Sequence, residues 1–182
     1  MKKQLSLLIC LMLVLGCASM AQKTSLDKLP ESNFSVEIPA GWWKPEQIDK
    51  YLITRDGPFQ QYVLIQERPI NKPFRHTQKK VRSGMLPQEA AGVIIDELAS
   101  DRYLANFSVL ENGPAVIDGH DGFKILFYYK DKKGTEFKTL YYGFIRGDSF
   151  FNLRYCAAVQ DYFEKDLPTF EKMIVTFKLI DT

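Results

Sequence analysis

The two histidines of the chain, His76 and His120, are the first candidates for metal binding or acid–base chemistry. They stand 44 positions apart, and neither forms the H-x-x-x-H or C-x-x-C spacing in which two ligands reach one metal ion. His120 lies within Asp118 to Gly122, whose sequence DGHDG places three possible ligands close together. The two glycines of this stretch are also what a tight hairpin turn requires. We therefore predict a turn here and no metal site.

The possible nucleophiles lack the neighbours that would activate them. Ser83 and Ser149 are outside the G-x-S-x-G context of a nucleophile elbow, and only a histidine could serve as their base. Cys156 falls in a predicted strand, where a small buried apolar residue is its simplest role. The sequence thus predicts no catalytic residue and no cofactor. A hydrolase of an unrecognised type stays open, and convergent carboxylates with shifted pKa values in a cleft would indicate one.

Two consecutive tryptophans, Trp42 and Trp43, follow the end of a predicted strand. Consecutive residues of an extended chain face opposite ways, so one indole should close the edge of the core while the other points outward. The outward-facing ring is a possible platform for a ligand.

The strongest local charge bias lies in residues 68–88, which we call the basic segment because it contains no acidic residue. Its cationic side chains are Arg68, Lys72, Arg75, Lys79, Lys80 and Arg82. Pro69, Pro73 and Gly84 within it predict a long exposed loop. The segment is either a solvated loop balanced by acids elsewhere or a contact site for anionic lipid headgroups, polysaccharide or an acidic partner.

The N-terminus of the chain has the pattern of an export signal. Two lysines precede an apolar run from Leu5 to Leu15, which suits a signal peptide and is too short for a membrane-spanning helix. The run leads into the letters VLGC, which resemble the lipobox of bacterial lipoproteins, where cleavage precedes a cysteine that then carries lipid. We predict removal of residues 1–16 and lipidation of Cys17, palmitate included. Small residues at 18–21 keep an ordinary cleaved signal or an uncleaved anchor as alternatives.

This processing sets the compartment and the charge of the mature chain. Two or more acyl chains anchor a protein stably, so the membrane is one expected partner. Ala18 rather than Asp follows the cysteine, which favours an outer-membrane location facing the periplasm. Loss of Lys2 and Lys3 leaves equal numbers of basic and acidic residues. That balance argues against a nucleic-acid partner, because such domains are usually strongly basic.

The rest of the chain divides into a polar tether over residues 17–33 and one domain over residues 34–182. Alternation after Phe34 predicts a strand that ends at Pro39 and forms a meander with two further strands, at about 50–55 and 61–67. Helical spacing of apolar residues then predicts a helix over residues 87–103.

Five strands with tight turns are predicted next, followed by a short terminal helix that opens near Asp166. Their approximate ranges are 107–110, 115–117, 123–130, 136–146 and 150–159. Neighbouring aromatic residues in the later strands place apolar side chains on both faces of the sheet. The two helices should therefore cover it from both sides.

The opening sequence FSVEIPAGW (residues 34–42), the order of strands and helices, and the final spacing of Phe170, Met173, Ile174 and Phe177 resemble the Mog1/PsbP-like superfamily. The resemblance covers most of residues 33–180. It implies an α+β fold, an α/β/α sandwich with a central, mostly antiparallel sheet. The family contains binding or accessory proteins, including a Ran-binding factor, a photosystem II extrinsic subunit and bacterial lipoproteins, and the resemblance implies no catalytic residue.

Together these features predict a membrane-anchored bacterial envelope lipoprotein with a non-catalytic protein-binding or accessory domain that docks onto another envelope protein or assembly. The alternative is a carrier of a small ligand or lipid with an aromatic-lined cavity, built from residues such as Trp42, Tyr128 and Tyr142. A large apolar pocket with few polar groups would favour the carrier.

Overall fold

The computed structural model of the protein describes residues 33–46 and 51–180. The predicted signal peptide, the predicted lipidation site Cys17 and nearly all of the predicted tether lie outside these residues. Within the described ranges, no helix combines the length and the apolar character needed to cross a membrane.

In the part of the chain that the structure describes, eight strands build two antiparallel sheets. They are β1 (Phe34–Ser35), β2 (Leu52–Ile53), β3 (Gln61–Pro69), β4 (Ala105–Ile117), β5 (His120–Lys130), β6 (Glu136–Arg146), β7 (Ser149–Ala158) and β8 (Lys178–Leu179). The central sheet has the order β2-β3-β7-β6-β5-β4, which makes β2 and β4 its edges. The chain's first and last described strands, β1 and β8, pair separately.

The two helices found among the described residues cover the central sheet. Helix α1 (Pro87–Ala99) begins at a proline, which suits the first helical position because that residue's N–H would have no partner in the helix. Helix α2 (Phe163–Thr176) begins three residues before the predicted Asp166 and contains Pro168. α1 ends earlier than predicted, at Ala99, where the Ser100 amide and hydroxyl both bond to the Asp96 carbonyl.

The sheet carries one apolar core on each face, because its strands point large side chains both ways. Phe151, Leu153 and Tyr155 of β7 face α2, whereas Phe150 of the same strand faces α1. The predicted α/β/α sandwich with a mostly antiparallel sheet is confirmed.

Two details of the predicted strand order are wrong. β1 does not join a meander, because the Phe34 ring packs 5.5 Å from the Phe177 ring and the strand pairs with β8. The predicted strands at 107–110 and 115–117 are one strand, β4, in which register shifts absorb the irregular sequence. Its Pro114 is tolerated because an edge strand pairs on one side only.

Candidate functional site

The DGHDG stretch is the predicted turn. Asp118 and Gly119 both have positive φ, 48° and 76°, as a two-residue hairpin turn of type I′ requires. The Asp118 carboxylate accepts hydrogen bonds from the Leu179 amide (2.8 Å) and from Lys178 Nζ (2.9 Å). Burial acts to raise the Asp118 pKa, but these bonds outweigh it and hold the pKa below its usual value. Asp118 thus joins the β4–β5 hairpin to β8.

The two tryptophans face opposite ways, as predicted. Trp42 is buried with its ring 6.4 Å from Tyr155, whereas Trp43 is half exposed and its Nε1 donates to the Arg55 carbonyl at 3.2 Å. Tyr142, a proposed lining residue of a carrier cavity, packs 6.0 Å from Phe170. Trp42 is a core residue and Tyr142 is partly buried against the same core, which leaves Trp43 as the exposed ring of the tryptophan pair.

Cys156 is buried in β7 and faces the α1 side of the sheet. Its Sγ lies 3.3 Å from the hydroxyl of Tyr129. Burial, followed by the neighbouring Cys156, raises the pKa of Tyr129, so the phenol stays protonated at neutral pH. The predicted role of Cys156 as a small buried residue agrees with this setting.

The basic segment is largely the predicted exposed loop between β3 and α1, but three buried residues anchor it to the core. Ile70, Phe74 and Val81 are buried in the core on the α1 side. Glu97 of α1 accepts hydrogen bonds from the backbone amides of His76 and Thr77. The sequence does not reveal these anchors, because Pro73 and many polar residues lie among them and no helix or strand is predicted there.

The six cationic side chains of the basic segment have different surroundings. Arg68 donates to the carbonyls of Lys72 (2.8 Å) and Pro73 (3.2 Å), and its guanidinium stacks 3.8 Å from the Phe74 ring centre. Lys79 pairs with Asp96 of α1. The remaining four are exposed: Lys72, Arg75, Lys80 and Arg82. Three of the six, Arg68, Lys72 and Arg75, line one groove of about 570 Å³ beside β3. The structure thus separates this trio from Lys79, Lys80 and Arg82.

A second cavity lies next to this groove and was missed by the sequence reasoning. It has a volume of about 220 Å³ and lies between the sheet, α1 and the basic segment. Its floor consists of Gln66, Tyr141, Asn152 and Arg154, which neighbouring strands bring together through the pairs Gln66↔Asn152 and Tyr141↔Arg154. We call it the polar cavity.

A sequence signal for the polar cavity does exist in β7. Asn152 and Arg154 alternate with Phe151, Leu153 and Tyr155, so two polar side chains share one face of a strand whose other face is buried. Asn152 is nevertheless only 4% exposed. Buried polar side chains normally have hydrogen-bond partners, so the partners of these two residues must be identified.

A third concave surface, with a volume of about 720 Å³, lies between the N-terminus of α1 and the β4–β5 hairpin. Its lining residues are Pro87, Gln88, Asn112, Gly113, Pro114, Ala115, Val116, Asp121, Gly122 and Phe123. Val116 at the groove is 66% exposed, and Leu86, just before α1, is 54% exposed. We call this surface the apolar groove.

Solved structures with the same arrangement of strands and helices come from distant proteins. LpqN of Mycobacterium tuberculosis, described as involved in cell envelope biogenesis, has 10% identity and a TM-score of 0.59, with 81% of this chain and 83% of that chain covered. Cyanobacterial PsbP of Synechocystis has 9% identity and a TM-score of 0.56, with 81% and 86% covered. The Ran-binding protein Mog1p of Saccharomyces cerevisiae has 8% identity and a TM-score of 0.54, with 82% and 91% covered.

No protein-family model matches the sequence, and no curated protein matches it in a sequence search. Identities near 10% establish the arrangement of the backbone and transfer no functional residue. The chain has the Mog1/PsbP-like fold.

Proposed function

We propose that this protein is a membrane-anchored bacterial envelope lipoprotein whose domain is a non-catalytic module for binding another envelope protein. The observation that carries the proposal is the apolar groove, which stands open at one edge of the sheet. Large apolar side chains at an open concave surface are typical of sites that receive a partner.

The chemistry of the apolar groove selects a partner segment with apolar side chains. Pro87, Pro114, Val116 and Phe123 supply carbon surface, and Asn112 and Asp121 supply a few polar groups. Strand addition along β4 is disfavoured, because its register shifts and Pro114 interrupt the free edge. The groove, rather than the edge, therefore offers the docking surface.

The predicted anchor limits where this partner can be. Asn33 follows Cys17 by sixteen positions, and a fully extended chain of that length spans at most about 55 Å. The domain would stay within this distance of the membrane, at a high effective concentration relative to other envelope components. A membrane protein or an assembly near the membrane surface fits the proposal.

The similar structures support the proposal at the level of fold only. LpqN is described as acting in cell envelope biogenesis and Mog1p as a Ran-binding protein. The same fold thus occurs in a protein involved in cell envelope biogenesis and in a protein that binds another protein. We carry over no partner from either one.

A photo-crosslinking amino acid at position 116 tests the proposal in intact cells of the source bacterium. Val175 is the matched control, since it is also an exposed valine (78% against 66%) but lies on α2, which covers the opposite face of the sheet. We expect position 116 to give one discrete crosslinked product in the membrane fraction and position 175 to give none. In addition, Val116→Asp should reduce crosslinking from a probe at neighbouring Gln88.

Equal products from positions 116 and 175 would indicate collisions rather than docking and would contradict the proposal. Absence of a product at both positions, with normal protein levels, would also contradict it. Purified Val116→Asp protein should melt at the wild-type temperature because the side chain is solvent-exposed. That measurement separates loss of docking from loss of folding.

A further inference from the structure

The polar cavity contains buried hydrogen-bonding groups that the fold leaves unsatisfied. Asn152 donates from Nδ2 to the Gln66 carbonyl at 3.5 Å, and its Oδ1 finds no donor within the described residues 33–46 and 51–180. The Nε of Arg154, two residues along the same strand face, finds no acceptor there either. An unpaired buried polar atom destabilises a protein, because it has lost its hydrogen bonds to water without gaining others. Two of them at one cavity point to a ligand.

The two carboxylates on the wall of the cavity already have partners. Glu97 accepts hydrogen bonds from His76 and Thr77, and Asp101 lies 3.6 Å from the His76 ring and accepts from the Tyr103 amide. The Arg154 Nη2 donates at 3.4 Å to the neutral Gln66 side chain. The carboxylates on the wall therefore bind other groups and do not pair with the Arg154 Nε.

The unpaired atoms are one donor and one acceptor, two residues apart on a strand, and they define the chemistry of a ligand that would fit. The Arg154 Nε–H needs an acceptor, and the Asn152 Oδ1 needs a donor. A carboxylate or phosphate would accept a hydrogen bond from Arg154. Its oxygens would then face the Asn152 Oδ1, which is also an acceptor, so no bond could form there. A secondary amide presents a carbonyl oxygen and an N–H in one rigid planar group, so it can satisfy both.

The size and walls of the cavity agree with a small group. A volume of about 220 Å³ is below the 300–1,000 Å³ of drug-sized sites. Phe74, Ile94 and Leu98 supply apolar wall surface beside the polar floor, as the methyl or methylene groups that flank an amide require. We propose that the polar cavity binds a secondary amide, the group shared by peptides and by the acetamido substituent of amino sugars. This site goes beyond the proposed protein docking.

The test uses the ¹⁵N-labelled full-length chain in detergent and follows the Arg154 Nε–H and Asn152 side-chain signals by NMR. N-methylacetamide is the amide probe, and methyl acetate, which replaces the N–H with oxygen, is its matched control. We expect saturable shifts at millimolar N-methylacetamide and at least tenfold weaker binding of the ester. N-acetylglucosamine and N-acetylalanine methylamide are then compared, and preference for one assigns the amide to a sugar or to a peptide.

Variants provide a second comparison. Asn152→Leu and Arg154→Met should each weaken amide binding at least tenfold, whereas Arg82→Met, an exposed site outside the cavity, should leave it unchanged. The amide–ester comparison needs no variant, so it decides the matter even if a cavity variant fails to fold. Equal shifts with amide and ester, or no saturable shift with any amide, would overturn the proposal.

Discussion

Glu97 holds Thr77 through two hydrogen bonds of 2.9 Å, one from the Thr77 backbone amide and one from its hydroxyl. Together with the bond from the His76 amide, they fix the basic segment to α1. We predict that Glu97→Ala leaves these donors unpaired and lowers the free energy of unfolding by about 1–2 kcal/mol. Faster hydrogen exchange at the His76 and Thr77 amides would confirm it. Glu171→Ala, at an exposed site, is the control.

The same carboxylate makes the segment sensitive to acid. Burial acts to raise the Glu97 pKa, but the hydrogen bonds from His76 and Thr77 hold the pKa below its usual value. A lowered folded-state pKa gives stability that is complete above the unfolded value, about 4.3 for Glu, and is lost as pH falls through the folded value. Protection of the two amides should therefore decrease below about pH 4 in wild-type protein and stay low and flat in Glu97→Ala. Identical pH profiles in both proteins would contradict this assignment.

Gly143 makes room for two aromatic rings, Phe123 and Phe150, which pack over it on the α1 side of the sheet. A Cβ atom there would lie 2.5 Å from Phe123 Cζ and 3.0 Å from Phe150 Cζ. Gly143→Ala should therefore destabilise the protein by about 1–3 kcal/mol through overpacking. Gly92→Ala, in α1 with open space around its Cβ position, should stabilise it by about 0.5–1 kcal/mol. Thermal melts of both variants test the pair, and a stable Gly143→Ala would show that the rings can move aside.

The helices and hairpins of the sandwich could be predicted because each of them leaves a signal within a short stretch of sequence. Apolar residues at helical spacing identify α1 and the end of α2, and turn residues such as Asp118-Gly119 locate the hairpin. The β1–β8 pairing joins Phe34 to Leu179, and no local pattern reports a contact over that distance along the chain. The resemblance to the Mog1/PsbP-like proteins identified the fold that the structure confirms.

The candidate sites were predicted less well, because each depends on contacts between distant strands. The charge pattern identified all six cations of the basic segment, but only the structure shows that Arg68 binds its own loop and that Lys79 is paired. The polar cavity forms where Gln66 of β3 meets Asn152 of β7. The alternation of Asn152 and Arg154 with apolar residues is visible in the sequence, but only the strand register shows that Gln66 lies beside them.

The exposed cations of the basic segment remain a predicted contact for an anionic surface. Each cation held near such a membrane contributes about 1 kcal/mol, and salt weakens the attraction because the Debye length is about 8 Å at physiological ionic strength. A chain beginning at Ala18 should bind anionic vesicles at low salt, and Gln at positions 72, 80 and 82 should weaken this binding several-fold.

Gln at Lys44, Lys133 and Lys172 is the matched control, because it removes the same net charge from exposed sites outside the segment. Lys79→Gln should have a smaller effect than Lys80→Gln, since Asp96 already neutralises Lys79. Equal losses in the two triple variants would mean that only net charge matters and that the basic segment has no special role.

The most direct test of the anchored-lipoprotein proposal is the mass of the mature N-terminal peptide from the membrane fraction of the source cells. We predict that this peptide begins at Cys17 and carries acyl chains, and that Cys17→Ser accumulates as an unprocessed precursor without lipid. A mature chain that begins elsewhere, for example after Ala21, with no lipid and with unchanged membrane association in Cys17→Ser, would contradict the account.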